Sequence, residues 1–278
     1  MHVVSSDSQP DYRDRNRQVW NVVAAKYTSE VEDQAAALAA GQTTLLEYEI
    51  RLLGTLQNWC RRAVVLQCSH GQDALSLWKL GVAEVIGIDF SPRMLALAQR
   101  KSQLLGAAAR WIEADALEAP GELNGSADLV YTGKGALPWI PALDRWAEVV
   151  ARLLRPGGRV LLTEGHPLDW VWDVQASSLQ IDPECGGYFA QQPIGNRDFP
   201  QSAYRRLSST SQLAAGPIEY QWTTAQIVNA LLGAGLVLDR LEEHPQPFWE
   251  KFPHVPPDTL QLLPHVLVLL AHNPHGLH

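Results

Sequence analysis

Residues 64–73 read Val64-Val65-Leu66-Gln67-Cys68-Ser69-His70-Gly71-Gln72-Asp73. An apolar-periodic stretch follows to Gly81, and residues 84–91 close the unit as Glu84-Val85-Ile86-Gly87-Ile88-Asp89-Phe90-Ser91. This is a short apolar run, a turn with a glycine, a helix, then a second apolar run ending in an aspartate. An acid at the end of the second strand can accept two hydroxyls of a ribose. The glycine lets backbone approach a ligand, and the helix after it starts with free N–H groups. The unit reads as the first half of a nucleotide-cofactor site. A plain strand–turn–helix of another α/β protein shares the glycine turn. The spacing of Asp89, with Ser91-Pro92 opening a helix, favours the cofactor.

The same alternation extends outward. Strand one is expected over 63–67, a helix over 71–80 and strand two over 84–89. Ser91 caps the next helix, with Pro92 in its first turn, and Gly106 ends it. Further strands are expected over 109–114, 127–131 and 159–164. A helix over 143–154 precedes the last of these, with Trp146, Val149, Val150 and Leu153 at helical spacing. Strands separated by helices imply right-handed crossovers and a parallel sheet. Upstream, residues 1–18 are polar and read as loose, and helical spacing recurs over 19–40 and 45–60. From 166 to 220 periodicity fades among prolines and the aromatics Trp170, Trp172, Tyr188, Phe199 and Tyr204. So long an irregular segment reads as a lid or an insertion. Thr223 or Thr224 then caps a helix to 232, and strands are expected over 237–243 and 265–271, joined by a proline-broken connection over 248–263.

The bulk properties suit a soluble enzyme: 278 residues, 46% apolar and 19% charged, enough to bury a sizeable core. A net charge of −8 argues against nucleic acid, whose phosphates need a basic face. Cys60, Cys68 and Cys185 show neither metal spacing nor an even disulfide framework, so reduced thiols and a cytoplasmic location are expected, with no metal. The first residues do not read as a signal peptide, and no apolar run is long enough to span a membrane, so no membrane partner is expected. Ten tryptophans point to an aromatic-lined cavity or to packing of ordinary gaps.

The dinucleotide fingerprint needs three spaced glycines, and only Gly71 stands in this turn. The arrangement instead resembles the class I S-adenosylmethionine-dependent methyltransferases, whose first motif is an acid followed by three alternating glycines. Here Val65 stands at the acid, Gln67 and Ser69 at two glycines, and Gly71 at the third. It is similar to a branch in which a Leu-Gln-Cys run precedes a lone glycine followed shortly by Asp. Glu113-Ala114-Asp115-Ala116, Asp128-Leu129-Val130-Tyr131-Thr132 and Arg155-Pro156-Gly157-Gly158 resemble the family's later motifs. Asn16-Arg17-x-x-Trp20, with Tyr27 on the same stripe, looks like the N-terminal cap of its small-molecule members.

The resemblance implies a Rossmann-like fold: a doubly wound, mostly parallel seven-stranded sheet with N-terminal helices and an insertion after strand five. It divides the chain into a helical cap (1–60), a cofactor-binding core (61–166), an insertion or lid (167–221) and a C-terminal helix with the last two strands (222–278). It implies S-adenosyl-L-methionine as cofactor. Gln67, Cys68, Ser69 and Gly71 would lie along it, Asp89 and Phe90 at its ribose, and Met94 on the helix beyond. Asp115 and Ala116 would hold adenine, Tyr131 and Thr132 the methionine part, with Tyr27 closing over its carboxylate. The acceptor is then a small molecule entering from the same edge. His166, just past strand five, is either a general base or a loop cap. Lys134 faces a substrate acid or solvent. Competing readings are a cofactor-binding but catalytically degenerate scaffold or partner subunit, and an NAD-dependent oxidoreductase. The oligomeric state stays open, with a homodimer as one arrangement.

Overall fold

The computed structural model describes residues 9–190, 193–195 and 217–274. Its main strands are β1 Arg62–Leu66, β2 Glu84–Asp89, β3 Ala109–Glu113, β4 Ala127–Gly133, β5 Leu154–Gly165, β6 Val237–His244 and β7 Val266–His272. They form one sheet in the order β3-β2-β1-β4-β5-β7-β6. The first five strands pair in parallel, and β7 runs antiparallel to both its neighbours. This is the expected doubly wound, mostly parallel seven-stranded sheet.

The main helices are α1 Gln9–Thr28, α2 Val31–Ala39, α3 Glu47–Leu53, α4 Gln72–Lys79, α5 Pro92–Leu105, α6 Leu143–Leu153 and α7 Thr224–Gly233. Alternate strand residues feed two cores. Val64, Leu66, Ile86, Val130 and Leu162 pack on the side that holds Trp146, Val150 and Leu153 of α6 and Ile227 of α7. Ala63, Val65, Val85, Leu129 and Leu161 pack on the other side, with Leu53 of α3 and Ala74 and Leu77 of α4. A sheet covered on both faces needs unbroken apolar strands, which is why β1 and β4 read as continuous runs rather than alternations. Burying each large aliphatic side chain contributes about 1.5–3 kcal/mol. Ser91 caps α5 by accepting from Met94 N at 3.2 Å, with Pro92 in the first turn, and Gly106 ends that helix at φ 61°.

Three boundaries differ from the sequence reading. The front of the chain is helical from Gln9, where a loose stretch to residue 18 was expected. Tyr12, Asn16, Val19 and Val23 are buried along it, and these four fall on one helical stripe. Asn16 hides this stripe in the sequence, because its amide is satisfied by a two-way bond to the Ile218 backbone at 2.9 and 2.8 Å. The 45–60 stretch divides at Gly54 (φ 64°) into α3 and a 3-10 turn at Leu56–Asn58. Strand β5 begins at Leu154, so the Arg155-Pro156-Gly157-Gly158 turn lies inside it. Gly157 N donates to Asn273 O and Asn273 N to Gly158 O, both at 2.8 Å.

After β5 comes a 3-10 turn, Pro167–Val171, then a bridge between Trp172 and Ile181. Residues Ile194–Gly195 pair with Ile218–Glu219. Phe199 and Tyr204, two of the aromatics assigned to the lid, lie outside the described residues. The three cysteines are unpaired. Among the described residues no helix is long and apolar enough to cross a membrane, and no His, Cys, Asp and Glu group could hold a metal ion.

Candidate active site

The carboxyl ends of β1, β2, β4 and β5 open into a cavity of about 780 Å³. Open α/β sheets bind ligands at this edge, and small-molecule sites span roughly 300–1,000 Å³. The turn after β1 forms one wall. Gln67, Ser69 and Gly71 have φ of 52°, 50° and 78°. Left-handed backbone costs a side-chain-bearing residue about 1–2 kcal/mol. The two residues that stand in place of glycines therefore keep the backbone shape glycines would give. Lys134, after β4, shares the property at φ 59°. These three are the positive-φ non-glycine residues among those described, and all three line the cavity. Strain gathered in one wall marks a functional site.

Asp89 ends β2 within this wall and is 7% exposed. Its Oδ2 accepts from Ser69 N and its Oδ1 from Ser91 N, both at 2.8 Å. Burial pushes its carboxyl up to about 6 against the pull of these N–H groups. Each oxygen keeps acceptor capacity for a further donor. Beside it, Gln67 donates through Nε2 to Ala136 O at 2.9 Å, while its buried Oε1 finds no partner among the described residues. A ribose diol and an adjoining donor fit these two groups.

Of the other residues assigned to the cofactor, Tyr27, Cys68, Phe90 and Tyr131 also line the cavity. Met94 and Thr132 are fully buried behind the wall, which corrects their assignment. Gly71 is corrected in its reason: a Cβ there would meet Ala98 and Trp111 at 2.6 Å, so the glycine serves packing beneath the turn. Asp115 and Ala116 face a separate recess of about 10 Å³, walled by Tyr12 and Arg13 of α1. The Asp115 carboxylate holds Arg13 Nε at 2.8 Å and Leu117 N at 2.8 Å. A base can enter there only if α1 yields.

His166 lines the cavity, but both ring nitrogens are engaged. Nδ1 accepts from Leu168 N at 3.1 Å, so Nε2 carries the proton and meets Glu243 Oε1 at 2.8 Å. The cap reading fits this geometry, and a base reading does not. Lys134 reaches Thr44 O at 2.6 Å and Asp73 Oδ1 at 2.8 Å, so its amine is held by the wall's own acceptors while its side chain lines the cavity. Tyr131 donates to Glu49 Oε1 at 2.7 Å, joining the same network, and burial pushes its hydroxyl well above the phenol range.

Several site residues escaped the sequence reading. Glu164 ends β5 in the cavity wall and accepts from Leu137 N and Gly165 N, both at 2.9 Å. Burial raises its carboxyl to about 7 despite those bonds. Its place at a strand end was the available signal. Phe248, Trp249 and Lys251, in the connection before β7, line the far end of the cavity with Trp170, over whose ring Lys251 lies at 4.9 Å. The cluster Phe248-Trp249-Glu250-Lys251-Phe252 was visible, but no spacing tied it to the sheet edge.

Comparison with known proteins agrees with this architecture. A family model described as a methyltransferase domain matches residues 64–158. Demethylmenaquinone methyltransferase of Lactiplantibacillus plantarum is 30% identical over 185 residues, 58% of this chain and 75% of that protein. The protein of the same name from Thermus thermophilus is 35% identical over 122 residues, 39% of this chain and 54% of that protein. This chain thus spans about half the length of the Thermus relative. In fold, it is similar to an S-adenosylmethionine dependent methyltransferase from Mesorhizobium loti at TM-score 0.58 and 23% identity, covering 80% of this chain and 95% of that one. A putative one from Listeria monocytogenes gives TM-score 0.60 at 18% identity, covering 81% and 96%. The sheet order, the strand-end aspartate and these likenesses agree: the chain belongs to the class I S-adenosylmethionine-dependent methyltransferases.

Proposed function

We propose that this protein transfers a methyl group from S-adenosylmethionine to a flat aromatic small molecule of the quinone or quinol type. The observation that carries the reading is the asymmetry of one cavity. Asp89 and Gln67 form a polar end suited to a nucleoside, and Trp170, Phe248, Trp249 and Lys251 form an aromatic end suited to a planar acceptor. Two relatives are named for demethylmenaquinone, an acceptor of that shape.

Asp89 holds the ribose hydroxyls, and Gln67 Oε1 takes a neighbouring donor. When bound, S-adenosylmethionine supplies an electrophilic methyl on a sulfonium, so the protein's work is mainly alignment. Trp20 and Tyr27 from α1 cover the site and exclude water. Glu164 is the wall carboxyl whose proton affinity suits removal of a proton from an acidic hydroxyl near neutral pH. The unpaired cysteines suit a reducing cytoplasm.

The test is methyl transfer from label-bearing S-adenosylmethionine to a reduced, ring-unmethylated naphthoquinone. Labelled product, lost on adding S-adenosylhomocysteine, supports the reading. Binding of S-adenosylhomocysteine without transfer to any planar acceptor would favour a degenerate scaffold. Binding of NAD instead would favour the oxidoreductase.

A further inference from the structure

Lys101 on α5 is wholly buried, yet its amine faces three polar groups. Nζ lies 2.7 Å from His70 Nδ1, 2.9 Å from Gln34 Oε1 and 3.0 Å from Gln72 Oε1. Three acceptors match the three N–H bonds of an ammonium, and they hold that form against burial, which lowers the amine to about 7. Gln34 passes the contact on, donating from Nε2 to Glu30 Oε2 at 2.9 Å. Burying a lysine carries a desolvation cost that a methionine filling the same space would not. The knot therefore calls for a use, and its three partners His70, Gln34 and Gln72 all line the cavity, His70 as the one beside the Ser69–Asp89 contact.

The imidazole is held in one state. Because Nδ1 accepts from Lys101, the neutral ring keeps its proton on Nε2. Burial, then the charge of Lys101, keeps the ring well below the usual histidine range, so it stays neutral. Tyr27 stacks on it at 4.1 Å and fixes its plane. His70 directly follows Ser69, whose N–H holds Asp89. The charged and titratable groups around the pair are Lys26 on α1, Glu30 before α2, Cys68 in the turn and Asp73 on α4. Three positions along from His70, Asp73 lies 2.8 Å from Lys134, and the buried Glu49 lies 3.7 Å from the same amine. One wall thus offers a lysine-backed donor beside the carboxylates of Asp73 and Glu49. An α-amino acid zwitterion is complementary to both.

We propose that His70 donates from Nε2 to the carboxylate of the cofactor's amino-acid arm, and that Lys101 is the positioning residue that fixes His70 as a donor. This rests on the cofactor reading above. The arm's ammonium then lies toward Asp73.

The test compares S-adenosylhomocysteine with 5′-methylthioadenosine, which keeps the nucleoside and sulfur but lacks the amino-acid arm. Calorimetric titrations use the full chain and His70→Asn, whose amide oxygen still accepts from Lys101 and whose own N–H groups stop short of the Nε2 position. The expected result is a loss of about tenfold or more for S-adenosylhomocysteine. Affinity for 5′-methylthioadenosine should stay within about twofold. Equal losses for both ligands, or no loss for either, would overturn the assignment while leaving the cofactor reading intact. A wild-type protein that binds neither ligand overturns the cofactor reading itself. Should His70→Asn not fold, histidine ring ¹⁵N spectra of the wild type decide. The His70 Nε2 signal should shift with S-adenosylhomocysteine and stay in place with 5′-methylthioadenosine; a shift common to both, or to neither, contradicts the proposal.

Discussion

The two ends of the cavity are built in different ways. The nucleoside end rests on the termini of β1 and β2, where Asp89 ties the turn of one strand to the helix after the other through Ser69 N and Ser91 N. The acceptor end rests on the long connections after β5 and β6, which set Lys251 over the Trp170 ring and Trp249 against Phe248. One end is fixed by a carboxylate's hydrogen bonds to backbone N–H groups just past adjacent strands, the other by aromatic packing across distant segments. Changes at the first end should therefore disturb both folding and cofactor binding. Changes at the second should reach the acceptor alone.

The largest effect is expected at Gly71. A valine there combines a left-handed backbone with contacts of 2.6 Å to Ala98 and Trp111. Overpacking and backbone strain together should destabilise the protein by about 2–5 kcal/mol. Urea unfolding measures this. A Gly71→Val protein of unchanged midpoint would show that the turn is not pinned to α5 and β3.

Next in size is Asp89. Replacement by alanine would orphan two N–H groups and confuse binding with stability. Asp89→Asn keeps the shape and one of the two acceptor atoms and removes the charge, and a thermal melt of the same variant separates binding from stability. Cofactor affinity should fall about tenfold or more, read by calorimetry with S-adenosylhomocysteine. The same group gives a pH signature. Affinity of the wild type should drop as pH falls below about 6, because protonation removes an acceptor for the ribose. Stability without ligand moves in the opposite sense. The carboxyl is raised from 3.8 to about 6, so the folded state holds its proton more tightly than the unfolded state. That contribution is present at low pH and is lost as pH rises through this window. A pH-independent affinity in both proteins would detach Asp89 from the nucleoside.

At the acceptor end, Trp249→Ala and Trp170→Ala should raise the acceptor KM several-fold, with cofactor affinity within about twofold, since uniform binding is lost rather than alignment. If either change weakens S-adenosylhomocysteine as much as it weakens the acceptor, the two ends are not separate.

The same division explains what was legible in the sequence. Asp89, Ser91 and Gly106 lie at element ends, where spacing and capping chemistry speak directly, so the sheet and its nucleoside edge could be read from one chain. Tyr27 was reached only through the family's cap. Lys101 was hidden because a lysine in the apolar-periodic run of α5 reads as a solvated position, and its three acceptors come from segments far apart in sequence. His166 was misleading for the opposite reason: a histidine at a strand end invites a chemical role, while its nitrogens are used by Leu168 and Glu243. Phe248 and Trp249 sit among prolines with no periodicity, so nothing local states which wall they join. Gln67 and Ser69 show that a glycine pattern can lapse in sequence while its backbone conformation persists.

That last point gives the smallest expected effect. Ser69→Gly should stabilise the protein by about 0.5–1 kcal/mol, since the left-handed strain is released. The hydroxyl gives up only a 3.7 Å contact to Met94 Sδ. Thermal melts would detect it, and a clear destabilisation would mean the hydroxyl does more than that contact suggests.

The most direct measurement is a crystal structure of the protein with S-adenosylhomocysteine bound. The account predicts both ribose hydroxyls within about 3 Å of the Asp89 carboxylate, with the sulfur turned toward the end lined by Trp170 and Trp249. A nucleoside seated among those tryptophans, with Asp89 untouched, would contradict it.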